Sequence, residues 1–354
     1  MSGSSFLRDF LHVQPARGEW TVAAKAALSA LLPLLALWAT GRLDWAMYAS
    51  FGAMACLFGR TLPLPQRLRA QGEAGLTLVV AILLGVTVGL SPVRELVLIP
   101  VAAVFATGMA VVAHRRNWHP PGVLFQVFAL GATASTPHVV ADLLPGALVS
   151  LAAVALSLTL TYLTSLARHL WRRRGGRTTP AWPRRTPTPG TLPGDGPEWP
   201  LRHYVIRYAA GIALAGALAT AVGVGHPYWA IVSVVVPMAA PSAGARTLRG
   251  VQRVVGTLAG VLVTWVLLSF SPSPLALILI VTAMQVGAEL FVARNYTIAL
   301  LFITPLALCM VQLGHPLPVA QLVSDRAIET VLGVAVALVL TLVTRERRQR
   351  GDAD

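Results

Sequence analysis

The sequence predicts an all-α membrane protein of about twelve transmembrane helices, arranged as two parallel six-helix repeats. Three observations predict it. Of 354 residues only 12% are charged and 55% are hydrophobic, where a soluble globular domain carries about 25% charged residues. Apolar runs recur at lengths suited to a bilayer, which takes about 20 helical residues per crossing. The basic residues collect in the tails and in alternate connectors, as the positive-inside bias requires.

Residues 1–20 read as a cytoplasmic N-terminal tail. Within it Phe6, Leu7, Phe10 and Leu11 fall at helical spacing with Arg8 and Asp9 opposite. That pattern suits a short helix in the membrane interface, the alternative being a frayed tail. The first apolar run follows Arg17 and Lys25 and ends without a small-residue cleavage site. It is expected to be a retained span and not a signal peptide.

The first membrane half, 21–167, holds six apolar segments: 21–41, 44–58, 72–90, 95–113, 121–137 and 142–167. The second half, 204–344, holds six more: 204–224, 227–241, 251–270, 274–292, 296–313 and 323–344. Segments two, five, eight and eleven are short or rich in Gly and Pro. Between the halves, 168–203 reads as a disordered basic cytoplasmic linker. Its stretch from Arg172 to Pro200 has seven prolines and five glycines, too many for a regular helix. Its six arginines suit anionic lipid, and Trp182 and Trp199 read as part of a solvated linker, the alternative being a docking role. Residues 345–354 form a cytoplasmic C-terminal tail.

Charge location sets the orientation. With both termini and the linker in the cytoplasm, only Arg42, Arg94 and Arg326 of the 28 Lys and Arg residues fall outside. Each of the three has an acidic neighbour: Asp44, Glu95 and Asp325. The same topology accounts for the net charge of +14, so nucleic acid is not an expected partner. Cys56 and Cys309 both lie in apolar segments, which points to neither a disulfide framework nor a metal site. No nucleophile–base pair or phosphate-binding glycine loop stands out. An enzyme, a metal and a cofactor are all unexpected.

The halves correspond in sequence. Asp44-Trp45-Ala46 resembles Pro227-Tyr228-Trp229-Ala230, and Leu68-Arg69 with Thr77 matches Leu248-Arg249 with Thr257 at an offset of 180. Arg116-Asn117-Trp118 matches Arg294-Asn295-Tyr296, and Asp142 matches Asp325. Six spans per half bring both halves in from the same side, a parallel repeat with a seam between them.

Several of these runs carry a family resemblance. Tyr228-Trp229-Ala230, Arg246 to Thr257, Arg294-Asn295-Tyr296, Phe302-Ile303-Thr304-Pro305 and Arg326 to Gly333 resemble the fusaric acid resistance (FUSC-like) integral membrane transporter family. The resemblance covers about 204–344 and is degenerate over 21–167. Larger members carry cytoplasmic domains that this chain lacks. The family includes aromatic carboxylic acid exporters and is related to plant malate channels. The resemblance therefore implies efflux of organic anions.

Polar residues inside spans mark the expected pathway. Arg326 and Glu329, spaced i, i+3, read either as a local ion pair capped by Ser324 or Asp325, or as a carboxylate-attracting arginine beside a glutamate that is protonated or displaced. Glu73 and Arg253, at the 180 offset, are expected to meet across the seam, the alternative being two snorkelling residues. Glu289 reads as a proton-coupling carboxylate or as the partner of a loop arginine such as Arg294. Pro237, Pro241 and Pro305, the last beside Thr304, interrupt helices eight and eleven. With helices two and five, these are the expected pathway lining. Trp45, Tyr228, Trp229 and Tyr296 stand at their ends, as pathway aromatics or as an interfacial belt. Gly85, Gly89, Gly256 and Gly260 read as close helix packing. Asp44, Ser273-Pro274 and Ser324-Asp325 read as helix caps, and His226 and His315 as turn residues.

The function expected is export of small, aromatic carboxylate-like anions across the cell membrane. The partners are a small-molecule anionic substrate and membrane lipid, with a homo-oligomer left open. The alternatives are a major facilitator type transporter or a non-transporting scaffold that works through the linker. The loop Gly59 to Gln71 lacks the acidic residue of the major facilitator signature, which weighs against the first.

Overall fold

A computed structural model describes residues 3–15, 20–116, 118, 120, 123–174, 201–240 and 242–344. Among them the chain forms helices and turns and no strand. The first part runs α1 (Gly3–Leu11), α2 (Trp20–Ala39), α3 (Ala46–Ala53), α4 (Leu64–Gly89), α5 (Arg94–Arg115), α6 (Leu124–Ala134) and α7 (Leu143–Arg173). The second runs α8 (Leu201–Val222), α9 (Tyr228–Met238), α10 (Ala243–Ser269), α11 (Pro274–Phe291), α12 (Tyr296–Gly314) and α13 (Val319–Val343).

Nine of these helices are long and apolar enough to cross a bilayer, which makes the chain a multi-pass membrane protein. Three segments form short helices instead: α3 has 8 residues, flanked by 3-10 turns, and α6 and α9 have 11 each. At 1.5 Å per residue, 11 residues cover roughly 16 Å, about half of the hydrocarbon thickness. Segment eleven differs from the expectation. α12 runs 19 residues straight through Pro305. Proline removes its own N–H and crowds one carbonyl, a loss that tight packing inside the protein tolerates.

Local chemistry sets several helix ends. The side chains of Ser242, Ser273 and Asn295 accept backbone N–H groups at the starts of α10, α11 and α12. Ser324 and Asp325 are not caps, because α13 begins at Val319 and carries both inside its second turn. Asp44 is not a cap either. It lies in a 3-10 turn and pairs with Arg42 at 3.1 Å. At the ends of α2 and α8, Gly41 and Gly223 take φ of +70° and +76°. Each closes its helix in the same way: Arg42 N–H reaches the Leu37 carbonyl, and Val224 N–H that of Ala219.

The helices pack in matching sets. α4 packs on α6 and α7, and α10 packs on α12 and α13, while α7 lies on α3 and α13 on α9. Across the halves α2 packs on α11 and α8 on α5. Small residues make the close approaches. A Cβ at Gly85 would come within 2.7 Å of Thr133 on α6, and one at Gly260 within 2.7 Å of Thr304 on α12. Gly75 and Gly250 likewise face Val154 on α7 and Val334 on α13. The linker residues 175–200, with Trp182 and Trp199, lie outside the described residues, as do Asn117, Pro241 and the tail from 345.

Candidate functional site

Where the short helices stop part-way, the bundle keeps an internal chamber of about 540 Å³. Its walls come from the turn after α3, from α6 and α9, and from α10 to α13. One side is aromatic. Phe128 of α6 lies 4.7 Å, ring to ring, from Trp229, which lies 4.7 Å from Tyr228. Both α9 aromatics are buried, each 1% exposed. Their burial sets them inside the bundle and not in an exposed belt: Trp229 lines the chamber and Tyr228 packs against it.

The other side is basic. Arg60, Arg249, Arg253 and Arg326 all line the chamber, and Glu289 is the acidic residue among its lining. Glu289 already has a charge partner, with Arg60 Nη2 at 3.0 Å from its Oε2, though without hydrogen-bond geometry. Arg253, 3% exposed on α10, donates Nη1 to the Tyr296 hydroxyl at 2.9 Å, and its Nε has no partner. The Arg249 guanidinium lies 4.6 Å from the centre of the same Tyr296 ring. Arg326 is 2% exposed, and its guanidinium lies 3.9 Å over Trp229. Its Nε and Nη1 find no acceptor, and no ion pair is formed with Glu329 among the described residues. A buried guanidinium with unmatched N–H groups is costly. Such a group is met by an anion that brings its own acceptors.

A second cavity, of about 480 Å³, adjoins the first at the end of the bundle where the N-terminal segment lies. Asp9, His12 and Gln14 form part of its wall. The segment is held there by its backbone. Arg294 Nε donates to the Gln14 carbonyl at 2.9 Å, and Asn295 Nδ2 donates to the carbonyls of Phe10 and His12. α1 does form, with Leu7 and Leu11 turned outward.

At the opposite end, Glu329 accepts the His226 backbone N–H at 3.0 Å, just before α9 begins. Its other oxygen is buried and unmatched. His226 Nδ1 lies 3.4 Å from Asp325 Oδ2, without hydrogen-bond geometry. Burial lowers the His226 pKa below the ordinary histidine value, and the Asp325 carboxylate pulls it the other way. Burial also lowers that of His315, with His138 adding to the effect.

The structure thus brings together five of the residues the sequence pointed to: Trp229, Arg253, Glu289, Tyr296 and Arg326 line one chamber. Tyr228 packs behind Trp229, and Arg294 lines the adjoining cavity. Thr304 lines neither, being buried where α12 meets Gly260. Glu73 does not meet Arg253. It pairs with Arg69 at 3.0 Å and with Arg116 at 3.1 Å. The glycine contacts explain the miss, since they align α4 with α10 at an offset of 175 (Gly250 less Gly75, Gly260 less Gly85). That offset sets Leu78, and not Glu73, against Arg253. Glu289 takes a loop arginine as partner, but it is Arg60 and not Arg294. Arg326, expected near the outer end of its span, is buried over Trp229, on a helix that starts about a turn before the expected apolar run. Sequence reasoning missed Arg60 and Phe128. Arg60 reads as one more loop charge and Phe128 as one more apolar residue, and only the fold aims them inward.

Comparison with known proteins supports the resemblance. Residues 213–340 match the family described as fusaric acid resistance protein-like. A relative, the uncharacterized membrane protein YvaC of Bacillus subtilis (strain 168), is 26% identical over 151 residues. That alignment covers 40% of this chain and 24% of the relative, so the chain spans only a minor part of its length. No solved structure matches the chain.

Proposed function

We propose, with the fusaric acid resistance-like match over 213–340 as premise, that this protein exports small organic anions, aromatic carboxylates foremost, across the plasma membrane. The observation that carries the reading is the chamber's charge. Arg249, Arg253 and Arg326 face it with no carboxylate matched to them, between the rings of Phe128, Trp229 and Tyr296. A flat anion answers both walls at once. Its carboxylate accepts from a guanidinium fork, and its ring lies on aromatic faces. The volume of about 540 Å³ suits a small molecule.

The wider reading is of twelve transmembrane segments in two parallel six-helix repeats, with both termini in the cytoplasm. The matching helix pairs, the paired glycine ends of α2 and α8, and the short α3 and α9 support it. In that orientation the cavity beside the N-terminal segment is the cytoplasmic entrance, and the His226 end faces outward. The turn after α3, the short helices α6 and α9, and α12 all contribute to the chamber, as expected of a transport site built at a repeat interface.

The test is efflux of labelled aromatic acids from proteoliposomes, with and without a proton gradient. Wild-type protein moves at least one acid. Arg326→Ala, which removes a buried charged donor, weakens apparent affinity about tenfold to a hundredfold. Arg326→Lys restores little, since lysine lacks the planar fork and the stacking on Trp229. A panel in which no acid moves under either condition overturns the reading.

A further inference from the structure

The two cavities share Pro120, Leu124, Arg249, Val292, Ala293 and Tyr296. Among these, Tyr296 has a large side chain able to close the passage, and it is held at one ring face and at its hydroxyl. Arg249 lies over its ring at 4.6 Å, and Arg253 donates to its hydroxyl at 2.9 Å. It is also the first residue of α12, directly after the turn whose Arg294 and Asn295 hold the N-terminal segment. We propose that Tyr296 is the partition between the entrance cavity and the inner chamber, and that an arriving carboxylate opens it by replacing the Tyr296 hydroxyl on Arg253.

The chemistry favours that exchange for anions alone. The phenol oxygen is a neutral acceptor holding one N–H of Arg253, whose Nε stays unmatched. A carboxylate offers two acceptor oxygens and a charge, and such bonds are roughly twice as strong as neutral ones. A neutral molecule of the same shape gains nothing by displacing the phenol. The barrier then selects charge before the ligand reaches Arg326, and Arg249 offers the freed ring a cationic face to slide along. This rests on the anion-export reading, because it names the gate of the same pathway.

The experiment reads the gate without needing transport. In full-length protein with Cys56→Ala and Cys309→Ala, Ala307→Cys reports on the inner chamber and Val236→Cys on the entrance cavity. Each is alkylated with N-ethylmaleimide in detergent, in plain buffer, with sodium benzoate, or with benzyl alcohol. With Tyr296 in place, benzoate speeds alkylation at 307 several-fold and benzyl alcohol does not, while 236 reacts alike throughout. Tyr296→Ala makes 307 react fast in every condition. Tyr296→Phe, which keeps the ring but loses the bond to Arg253, raises the plain-buffer rate and abolishes the benzoate effect. An unchanged rate at 307 in Tyr296→Ala overturns the partition, and equal acceleration by benzoate and benzyl alcohol overturns its operation by charge. If the variants behave as stated yet liposomes move no acid, the export reading fails and the partition stands. If acids move while the variants leave 307 unchanged, only the partition fails.

Discussion

Arg60 reaches from the loop before α4 to Glu289 on α11, Nη2 to Oε2 at 3.0 Å, and ties the first half of the chain to the second. The arginine is braced by its own Nε on the Leu57 carbonyl at 3.3 Å, and the glutamate by Gln285 Nε2 at 3.4 Å. Both side chains are largely buried, at 18% and 5% exposure. The pair removes the chamber's one lining carboxylate from competition for Arg249, Arg253 and Arg326. Its position, not its strength, is what leaves the basic wall open to a foreign anion.

Breaking that pair from one side should be costly. Arg60→Ala leaves the Glu289 carboxylate buried and unmatched, and about 3–5 kcal/mol of stability goes with it. Glu289→Gln should cost less, because an amide is cheaper to bury than a charge. Replacing both by leucine should recover most of the loss. Thermal melts of the purified variants in detergent order the set. Arg60→Ala melting with the wild type would remove the pair from any structural role.

The contact of α13 with α9 gives a second expectation. Gly333 lies against the Ala230 carbonyl and the Ser233 side chain, and an added Cβ would overlap the carbonyl itself. Gly333→Ala therefore pushes α9 away, moves Trp229 off Arg326, and costs about 1–3 kcal/mol. Gly146→Ala on α7 is the control. Its Cβ would meet Leu83 and Val86 at 3.7 Å and Ile82 at 3.9 Å, ordinary contacts, so the better helix propensity of alanine should leave stability equal or higher. Melting curves that lower both variants alike would show that the backbone approach is not the cause.

The sequence carried the parts of this structure that depend on bulk properties. Apolar runs placed all the long helices, because burial in lipid scales with apolar length. The glycines at 85 and 260 announced close packing, because nothing else fits there. The ion pairs were not legible in the same way. Glu73 has two arginines within reach, Arg69 one turn back and Arg116 on the next connector. Choosing between these and Arg253 depended on helix register, and a shift from 180 to 175 turns a helix face away. The depth at which Arg326 is buried was not legible either. α13 starts at Val319, just after Pro316 and Pro318, about a turn before the apolar run expected from residue 323. Tyr228 and Trp229 look like belt residues in any list of aromatics. Only the shortness of α9 puts them inside.

Low pH should loosen the His226 end of the bundle. His226 is mostly buried beside Asp325, and burial holds its folded pKa below the ordinary value of about 6.5. The unfolded chain therefore binds this proton more readily than the folded one. The stability it contributes is complete above about pH 6.5 and is lost as pH falls through the lower, folded pKa. His315 adds a slope of the same sign, again through burial. Melting temperature should accordingly decline as pH is taken below about 6.5. His226→Gln should flatten part of that decline while keeping the backbone N–H that Glu329 accepts. Asp325→Asn should deepen it, because the neutral amide no longer offsets the burial of His226. Parallel pH profiles for wild type and His226→Gln would exclude His226 as a source of the decline and move the search to the carboxylates.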